Sequence, residues 1–275
     1  MARVCILTDS TAQFTRPDFP GRDRIYLIPF RLSSDRRPGE ESSPRDVYGQ
    51  KLEAPGVREY ARFFDQLNRE YDAILAITLS SSLSPAGRHA QAAALQFGTH
   101  ASIQVVDSQT TAVGLGLLVQ VAAEAATAGA SLAKIESLVR SAIPRIYMLV
   151  CIPELTYLTD SGYLTRSQAV VGEMLGLLPI FALEDGRLMP MEKVRTQRHL
   201  FESFEEFINE FDDPYHVALV RGINHNTIRT RPLREYVQEI YPQTPFSEHN
   251  MNSHLAALLG PQSIGLVVAE KPFVR

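Results

Sequence analysis

The feature that most constrains the fold is a pattern repeated along the first half of the chain: an apolar strand, a polar turn and a helix. The clearest copy runs from Ile77 to Ala94, where an apolar strand ends, a serine-rich turn follows, and an Ala- and Gln-rich helix begins. Short apolar strands that alternate with helices favour a parallel sheet with helices on both faces. The first half is therefore predicted to be an α/β domain of this kind.

Hydroxyl-rich turns follow three of the predicted strands. Their sequences are TDST at residues 8–11, TLSSSLS at 78–84 and VDSQTT at 106–111. If the three strands are neighbours, their carboxyl ends meet at one edge of the sheet, where ligands bind in open α/β folds. Asp9 and Asp107 would then lie on this rim. Turn hydrogen bonding is the favoured interpretation of both carboxylates, over a pair for acid–base chemistry.

The serine-rich turn is the main candidate site. Ser84 is predicted to cap the following helix, with Pro85 at its first position. Ser80 and Ser81 add hydroxyls that capping does not need, next to a helix start whose free N–H groups favour an anion. A plain capping turn explains the stretch equally well. No glycine-rich phosphate loop accompanies it, so a bound nucleotide is not predicted.

Composition narrows the class of protein. The net charge is −4 over 275 residues and no basic run occurs, which argues against a general nucleic-acid binder. Cys5 and Cys151 are the only cysteines and lie in apolar runs, so both are predicted to be buried thiols in a reducing compartment. No histidine and cysteine residues have the spacing of a metal site, and no apolar run is long enough to span a membrane. The chain starts directly on a strand. These features predict a cytoplasmic protein without stable membrane insertion.

The pattern changes near residue 150, which divides the chain into predicted domains 1–150 and 151–275. The first contains predicted strands at Val4–Leu7, Tyr26–Phe30, Tyr71–Ile77 and Ser102–Val106, a loop at Ser33–Pro44, and helices at Val57–Glu70, at Ala112–Ala128 and after Ser131. The second contains predicted strands at Met148–Ile152, Pro179–Leu183, Leu188–Met191, Tyr215–Val220 and Ile264–Ala269 and helices at Gln197–Phe211 and Leu233–Ile240. Hairpin signals among these elements predict a mixed-sheet α/β domain.

Five segments, in this order, resemble the DegV family over nearly the whole chain. They are ILTDSTAQF, AITLSSSLSPAGRHAQAA, VVDSQTTAVGLGLLVQVAAEAA, the stretch from Leu155 to His199, and GPQSIGLVV. The resemblance implies two α/β domains that hold a long-chain fatty acid in a tunnel between them. It also implies that the protein is a non-catalytic carrier without a cofactor, which presents the acyl carboxylate to a separate ATP-binding fatty-acid kinase.

The resemblance places the carboxylate-binding serine in the Ser80–Ser81 pair, with Ser81 favoured. Three other family anchors differ here. The stretch Lys51–Pro55 lacks the usual threonine, Tyr163 stands near the place of an arginine, and Leu258 stands at the place of a histidine. The predicted ligand-binding residues, which include candidate substitutes for the missing arginine and histidine, are Ser80, Ser81, Ser84, Tyr163, Arg166 and His254.

Two other functions remain open at this point. One is a hydrolase or transferase in which Ser81 is the nucleophile and His254 the base, although no G-x-S-x-G elbow or orienting acid is evident. The other is a family member whose ligand is altered or lost, which the three missing anchors favour. The run Val170–Leu178, with Gly172 and Gly176, is predicted to pack closely beside the tunnel. Basic residues Arg166, Arg187, Arg195 and Arg198 mark a solvated face or a docking patch for an acidic partner.

Overall fold

A computed structural model of the chain describes residues 3–34, 50–98, 101–160, 164–223 and 230–271. The strands are β1 (Val4–Asp9), β2 (Ile25–Ile28), β3 (Arg31–Ser34), β4 (Gln50–Glu53), β5 (Ala73–Thr78), β6 (Ser102–Asp107), β7 (Ile146–Cys151), β8 (Leu178–Glu184), β9 (Arg187–Val194), β10 (Pro214–Arg221), β11 (Phe246–Asn250) and β12 (Ile264–Glu270). The helices are α1 (Val57–Asn68), α2 (Ala86–Leu95), α3 (Ala112–Thr127), α4 (Leu132–Ala142), α5 (Tyr157–Asp160), α6 (Arg166–Met174), α7 (Gln197–Ile208), α8 (Arg231–Ile240) and α9 (Ser253–Leu259).

The first sheet has the strand order β2-β1-β5-β6, and all its pairs are parallel. Cys5 is in register with Ile74, which in turn is in register with Ile103. Tyr60 of α1 and Ala90 of α2 pack on one face, while α3 and α4 contribute to the core on the other. The predicted parallel sheet with helices on both faces is confirmed, and its three hydroxyl-rich turns follow adjacent strands.

The second sheet is mixed, as predicted, with the order β11-β10-β12-β7-β8-β9. β10 and β11 are parallel, and the other neighbours are antiparallel. Helices α7 and α8 cover one face through an apolar cluster around Phe204 and Val237. β7 belongs to this sheet, so the change of sheet falls before Ile146. The division into domains at residue 150 stays a prediction.

Helix α3 lies between the two sheets. It contacts β1 and β5 of the first sheet and β7, β10 and β12 of the second. Its residues are almost all buried, and they belong to a core cluster with members from both halves of the chain. Gly116 permits this arrangement, because a Cβ there would overlap the backbone carbonyl of Gln13. The apolar surfaces of the two halves therefore meet around one helix.

Several local predictions need correction. Ser33 and Ser34 belong to β3, which pairs with β4, so the predicted loop begins too early; residues 35–49 lie outside the described residues. The elements β3, β4, β11, α5 and α9 were not predicted. Gly172 does pack closely, since a Cβ there would collide with Leu155. A Cβ at Gly176 would have no described atom within 4 Å, and Gly176 has a φ of +61°. Gly176 therefore ends α6 in the left-handed conformation.

Candidate functional site

The rim of the first sheet is organised by the buried carboxylate of Asp9. One oxygen accepts the N–H and the hydroxyl of Thr11 at 3.0 and 2.6 Å, and the other accepts the N–H of Leu79 at 2.7 Å. Burial raises the pKa of Asp9, although these hydrogen bonds and nearby His254 oppose that shift. Asp9 therefore joins the TDST turn to the serine-rich turn, which is the turn hydrogen bonding predicted for it.

Asp107 plays a similar part on the other side of the serine-rich turn. Its carboxylate accepts the N–H of Ser81 at 3.2 Å and the N–H of Gln109 at 3.0 Å. The backbone of Ser80 is also fixed, because its N–H donates to the carbonyl of Thr110 at 3.0 Å. The three turns thus form one hydrogen-bonded unit at the carboxyl ends of β1, β5 and β6.

Ser80 is fully buried, and its hydroxyl already has partners. The hydroxyl donates to the carbonyl of Gly186 at 2.7 Å and accepts the N–H of Ser82 at 3.3 Å. Gly186 lies at the tip of the β8–β9 hairpin in the second half of the chain. Ser80 therefore connects the two halves across the predicted headgroup site.

The Ser81 side chain is half-exposed at the entrance to α2. Within the described part of the chain its hydroxyl makes no hydrogen bond, although its backbone is held by Asp107. A Cβ at Gly87 would lie 2.6 Å from the Ser81 hydroxyl and 3.0 Å from that of Thr78, so the glycine leaves room for both hydroxyls. Thr78 Oγ1 is buried and has no partner among the described residues. Ser81 and Thr78 thus offer hydroxyls at the start of a helix.

The start of α2 differs from the prediction by one residue. The helix begins at Ala86 with Pro85 at the N-cap, and the Ser84 hydroxyl accepts the N–H of Ala86 at 3.3 Å. Pro85 has ψ near 1°, which is not helical, so Ser84 is moved one place further from the helix. Ser84 still satisfies a helix-start N–H, but its own hydroxyl is buried and engaged in the turn.

His254 reaches the rim from the second half. Its Nε2 lies 3.1 Å from the carbonyl of Phe30, which makes this nitrogen the donor. Burial lowers the pKa of His254, while the Phe30 carbonyl and Asp9 act in the opposite direction. The imidazole is engaged with Phe30 rather than with Ser81, so the serine–histidine pair of the hydrolase hypothesis is not formed.

Of the remaining predicted ligand residues, only Arg166 is described, and it does not add to this cluster. Arg166 is exposed at the first position of α6. Tyr163 lies outside the described residues. The serines and His254 are thus placed at the rim, whereas the structure places Arg166 on the surface.

The two leucines that the sequence comparison predicts at the places of polar family anchors pack together. Leu52 of β4 and Leu258 of α9 both pack against one apolar cluster, which contains Phe30 and Leu79. This contact brings residues from both halves together beside the serine-rich turn. The two leucines therefore form a shared apolar wall beside this turn.

Further hydroxyls lie buried near the rim, three from the predicted turns and one from Tyr60 of α1, which the sequence did not single out. The hydroxyls of Thr8, Tyr60, Thr110 and Thr111 are buried without a hydrogen-bond partner among the described residues. Burial, followed by the charge of Asp9, raises the pKa of Tyr60. Their side-chain class is visible in the sequence, but their convergence depends on the packing of α1 and α3 on the sheet.

Two further hydrogen bonds fix the second half against the TDST turn. Asn252 donates through Nδ2 to the carbonyl of Ser10 at 2.8 Å, and Gln13 donates through Nε2 to the carbonyl of Asn250 at 2.6 Å.

Within the described ranges no helix is long and apolar enough to cross a membrane. In the same ranges, no group of three or more His, Cys, Asp or Glu side chains is arranged to hold a metal ion.

Together these features define an α/β protein with two main sheets and a hydroxyl-rich rim where its halves meet. A family model described as "Uncharacterised protein, DegV family" matches residues 3–271, and the chain belongs to the DegV family. A DegV domain-containing protein of Staphylococcus aureus is 25% identical, over 98% of this chain and 100% of the relative.

Solved structures share the fold. The fatty acid binding DegV family protein of Streptococcus agalactiae has a TM-score of 0.84 at 18% identity, covering 98% of this chain and 100% of that one. The Streptococcus pneumoniae fatty acid kinase B3 protein, solved with linoleic acid, has a TM-score of 0.80 at 15% identity, covering 97% and 99%. At these identities the likeness establishes the fold.

Proposed function

We propose that this protein is a non-catalytic carrier that binds one long-chain fatty acid between its two halves. The observation that carries the proposal is the Ser81 hydroxyl: half-exposed, beside the start of α2, and without a hydrogen bond to another described residue. The fatty acids bound by the related structures from S. agalactiae and S. pneumoniae support the same ligand class.

The proposed headgroup site uses Ser81 and the first turn of α2. A carboxylate needs hydrogen-bond donors, and a helix start supplies N–H groups that have no partner within the helix. Ser80 is less suited to this role, because its single hydroxyl proton is donated to Gly186. His254, with Nε2 facing Phe30, is proposed to border the site.

The acyl chain is proposed to run between the halves, past the segment that contains α6. Gly172 brings this helix against Leu155, while Val171 and Met174 on its other side are exposed, so α6 is apolar on two faces. A chain of about sixteen CH₂ groups at about 0.8 kcal/mol each would gain on the order of 10 kcal/mol before ordering costs. The tail would thus supply most of the affinity.

The headgroup site is proposed to be weaker than an ordinary family site. Leu52 and Leu258 donate no hydrogen bonds, and Arg166 is on the surface. A partly buried carboxylate without a cation is costly to desolvate, so the acid is expected to remain partly in water or to be replaced by a less polar headgroup. Presentation to a separate fatty-acid kinase, the proposed partner, would then be inefficient.

Two further parts of the proposal concern mechanism and location. The Ser81–His254 pair is not formed, so the geometry favours binding over acyl transfer.

Cys5 and Cys151 are unpaired and buried, and burial raises the pKa of each thiol to about 12. Such thiols suit a reducing compartment, and we place the protein in the cytoplasm.

The test is mass spectrometry of an organic extract of the purified protein, followed by titration with a long-chain fatty acid. Ser81→Ala is expected to weaken binding by roughly 1–3 kcal/mol, the value of a charge-assisted hydrogen bond. Ser82→Ala, which removes an exposed hydroxyl from the same turn, is the matched control. An extract without lipid, together with no measurable titration, would overturn the proposal.

A further inference from the structure

The tip of the β8–β9 hairpin contacts the serine-rich turn at Ser80, the residue before the proposed headgroup ligand Ser81. Gly186 accepts a hydrogen bond from the Ser80 hydroxyl at 2.7 Å and is itself buried. A Cβ at Gly186 would collide with that hydroxyl and would lie 3.2 Å from the Cα of Gln109. The tip therefore fits between the turns after β5 and β6, next to Ser81.

The tip is a rigid unit. Asp185 and Gly186 have φ angles of 47° and 78°, as a two-residue hairpin turn of type I′ requires. Leu183 is in register with Leu188, and Glu184 with Arg187, so the strands stay paired up to the turn. Movement of the tip would carry residues 183–188 as one piece.

Residues 183–188 extend beyond the part of β8 that pairs with β7. β8 pairs with β7 only from Ile180 to Ala182, and β9 is the edge strand of the described sheet. The register of the hairpin also shifts between Ile180 and Phe181, which is an irregularity of the kind that bends strands. The distal end is held by the hydrogen bond from Ser80 of the first half and by the packing of Leu183 and Leu188 in the core cluster shared by both halves.

We infer that the hairpin tip is a gate over the serine-rich turn, and that Ser80 is its latch. The inference rests on the proposed function, because it assigns Ser81 to the ligand and Ser80 to the hairpin. A hydroxyl has one proton to donate, so the latch is open whenever Ser80 donates elsewhere. Opening uncovers the buried Ser80 and widens the access of an incoming acid, or of a partner that accepts it, to the adjacent Ser81 and the start of α2.

The experiment measures rates as well as affinity. Stopped-flow fluorescence with a fluorescent long-chain fatty acid gives the association and dissociation rate constants of wild-type protein and of each variant. Ser80→Ala removes the hydroxyl that donates to Gly186. Gly186→Ala adds a Cβ that would collide with the Ser80 hydroxyl and so displaces the tip. Both rate constants should rise by about five- to tenfold in each variant, the factor expected for the loss of one neutral hydrogen bond, with little change in Kd.

Ser82→Ala and Ser81→Ala complete the comparison. The first should show wild-type rates, and the second should raise Kd through faster dissociation alone. Hydrogen exchange of the ligand-free proteins should show faster exchange at residues 183–188 in Ser80→Ala than in Ser82→Ala. This readout separates an open gate from a general loss of stability, because exchange in α3 should stay unchanged.

Two results would count against the gate in different ways. Wild-type rates and wild-type exchange in both Ser80→Ala and Gly186→Ala, in a protein that binds the fatty acid, would overturn the gate alone. A wild-type protein that binds no fatty acid would overturn the proposed function, and the gate with it.

Discussion

The carboxylate of Asp9 accepts a hydrogen bond from the backbone N–H of Leu79 at 2.7 Å, across 70 residues of sequence. Its second oxygen holds Thr11 by two hydrogen bonds at 3.0 and 2.6 Å. The serine-rich turn therefore depends for its position on a buried acid from a different strand.

Asp9→Ala should lower the free energy of unfolding by about 3 kcal/mol. The change leaves the N–H groups of Leu79 and Thr11 buried without an acceptor, and an unpaired buried donor costs roughly 1–3 kcal/mol. Urea denaturation measures the difference. Asp65→Ala is the control, because Asp65 pairs with Arg69 on the surface of α1 and should contribute under about 1 kcal/mol. Equal effects of the two variants would contradict the role given to Asp9.

Gly116→Ala should also destabilise the protein, by about 2–4 kcal/mol. The new Cβ would overlap the carbonyl of Gln13, and the helix could make room only by moving away from the TDST turn. Gly56→Ala is the matched control, since the nearest atom to a Cβ there is a carboxylate oxygen of Glu59 at 3.5 Å. Thermal unfolding of both variants should show a large decrease in Tm for Gly116→Ala alone.

Acid should lower the stability of the folded protein through His216, a buried residue of β10. Its Nε2 and that of His249 lie 2.8 and 2.9 Å from the Ser247 hydroxyl. Burial, followed by His249 and Arg16, lowers the pKa of His216 to about 4 from an ordinary 6.5. Between pH 6.5 and pH 4, His216 therefore binds a proton in the unfolded chain but not in the folded protein.

Stability should thus fall as the pH falls from 6.5 to 4, by about 3 kcal/mol for this group. The lowered pKa of His249 acts in the same direction. Denaturation of wild type and His216→Gln at pH 7, 5.5 and 4 tests the sign, and the variant should lose less stability over this range. His199→Gln, at an exposed site, should follow wild type. A wild-type protein that gains stability on acidification relative to His216→Gln would contradict this assignment.

The sequence predicts the elements whose patterns are local. Apolar runs such as Tyr71–Ile77 predict the strands, and alternation with helices predicts the parallel sheet and its rim. In contrast, β11 has the sequence FSEHN with one large apolar residue at an edge, and α9 has only seven residues. Neither segment carries a periodic apolar pattern from which it could be predicted. Both depend on tertiary packing for their stability.

The candidate site also has a part that the sequence predicts and a part that it does not. The serine-rich turn is visible as a strand end followed by a helix start, so Ser80 and Ser81 could be named in advance. Their different roles could not, because the partner of Ser80 is Gly186, 106 residues away. The place of His254 beside Phe30 likewise depends on how α9 docks on the first half.

The apolar wall formed by Leu52 and Leu258 leads to the last prediction, Leu258→His. Residue 258 lies one helical turn after His254, so a new imidazole would face the same rim and could donate to a carboxylate. Fatty-acid affinity should rise by about three- to tenfold, and by more at pH 6 than at pH 8, because an imidazolium adds Coulomb attraction. A polar ring in this apolar cluster should also cost about 1–2 kcal/mol of stability.

Leu258→Met is the control, since it keeps the volume and the apolar character of the leucine. Titration with a fatty acid at both pH values compares the two variants, and reconstitution with a bacterial fatty-acid kinase follows acyl-phosphate formation. The wild-type protein should serve that kinase poorly, and Leu258→His should serve it better. Equal affinities of the histidine and methionine variants at both pH values would show that the carboxylate lies away from α9, because a donor at residue 258 would then be out of its reach.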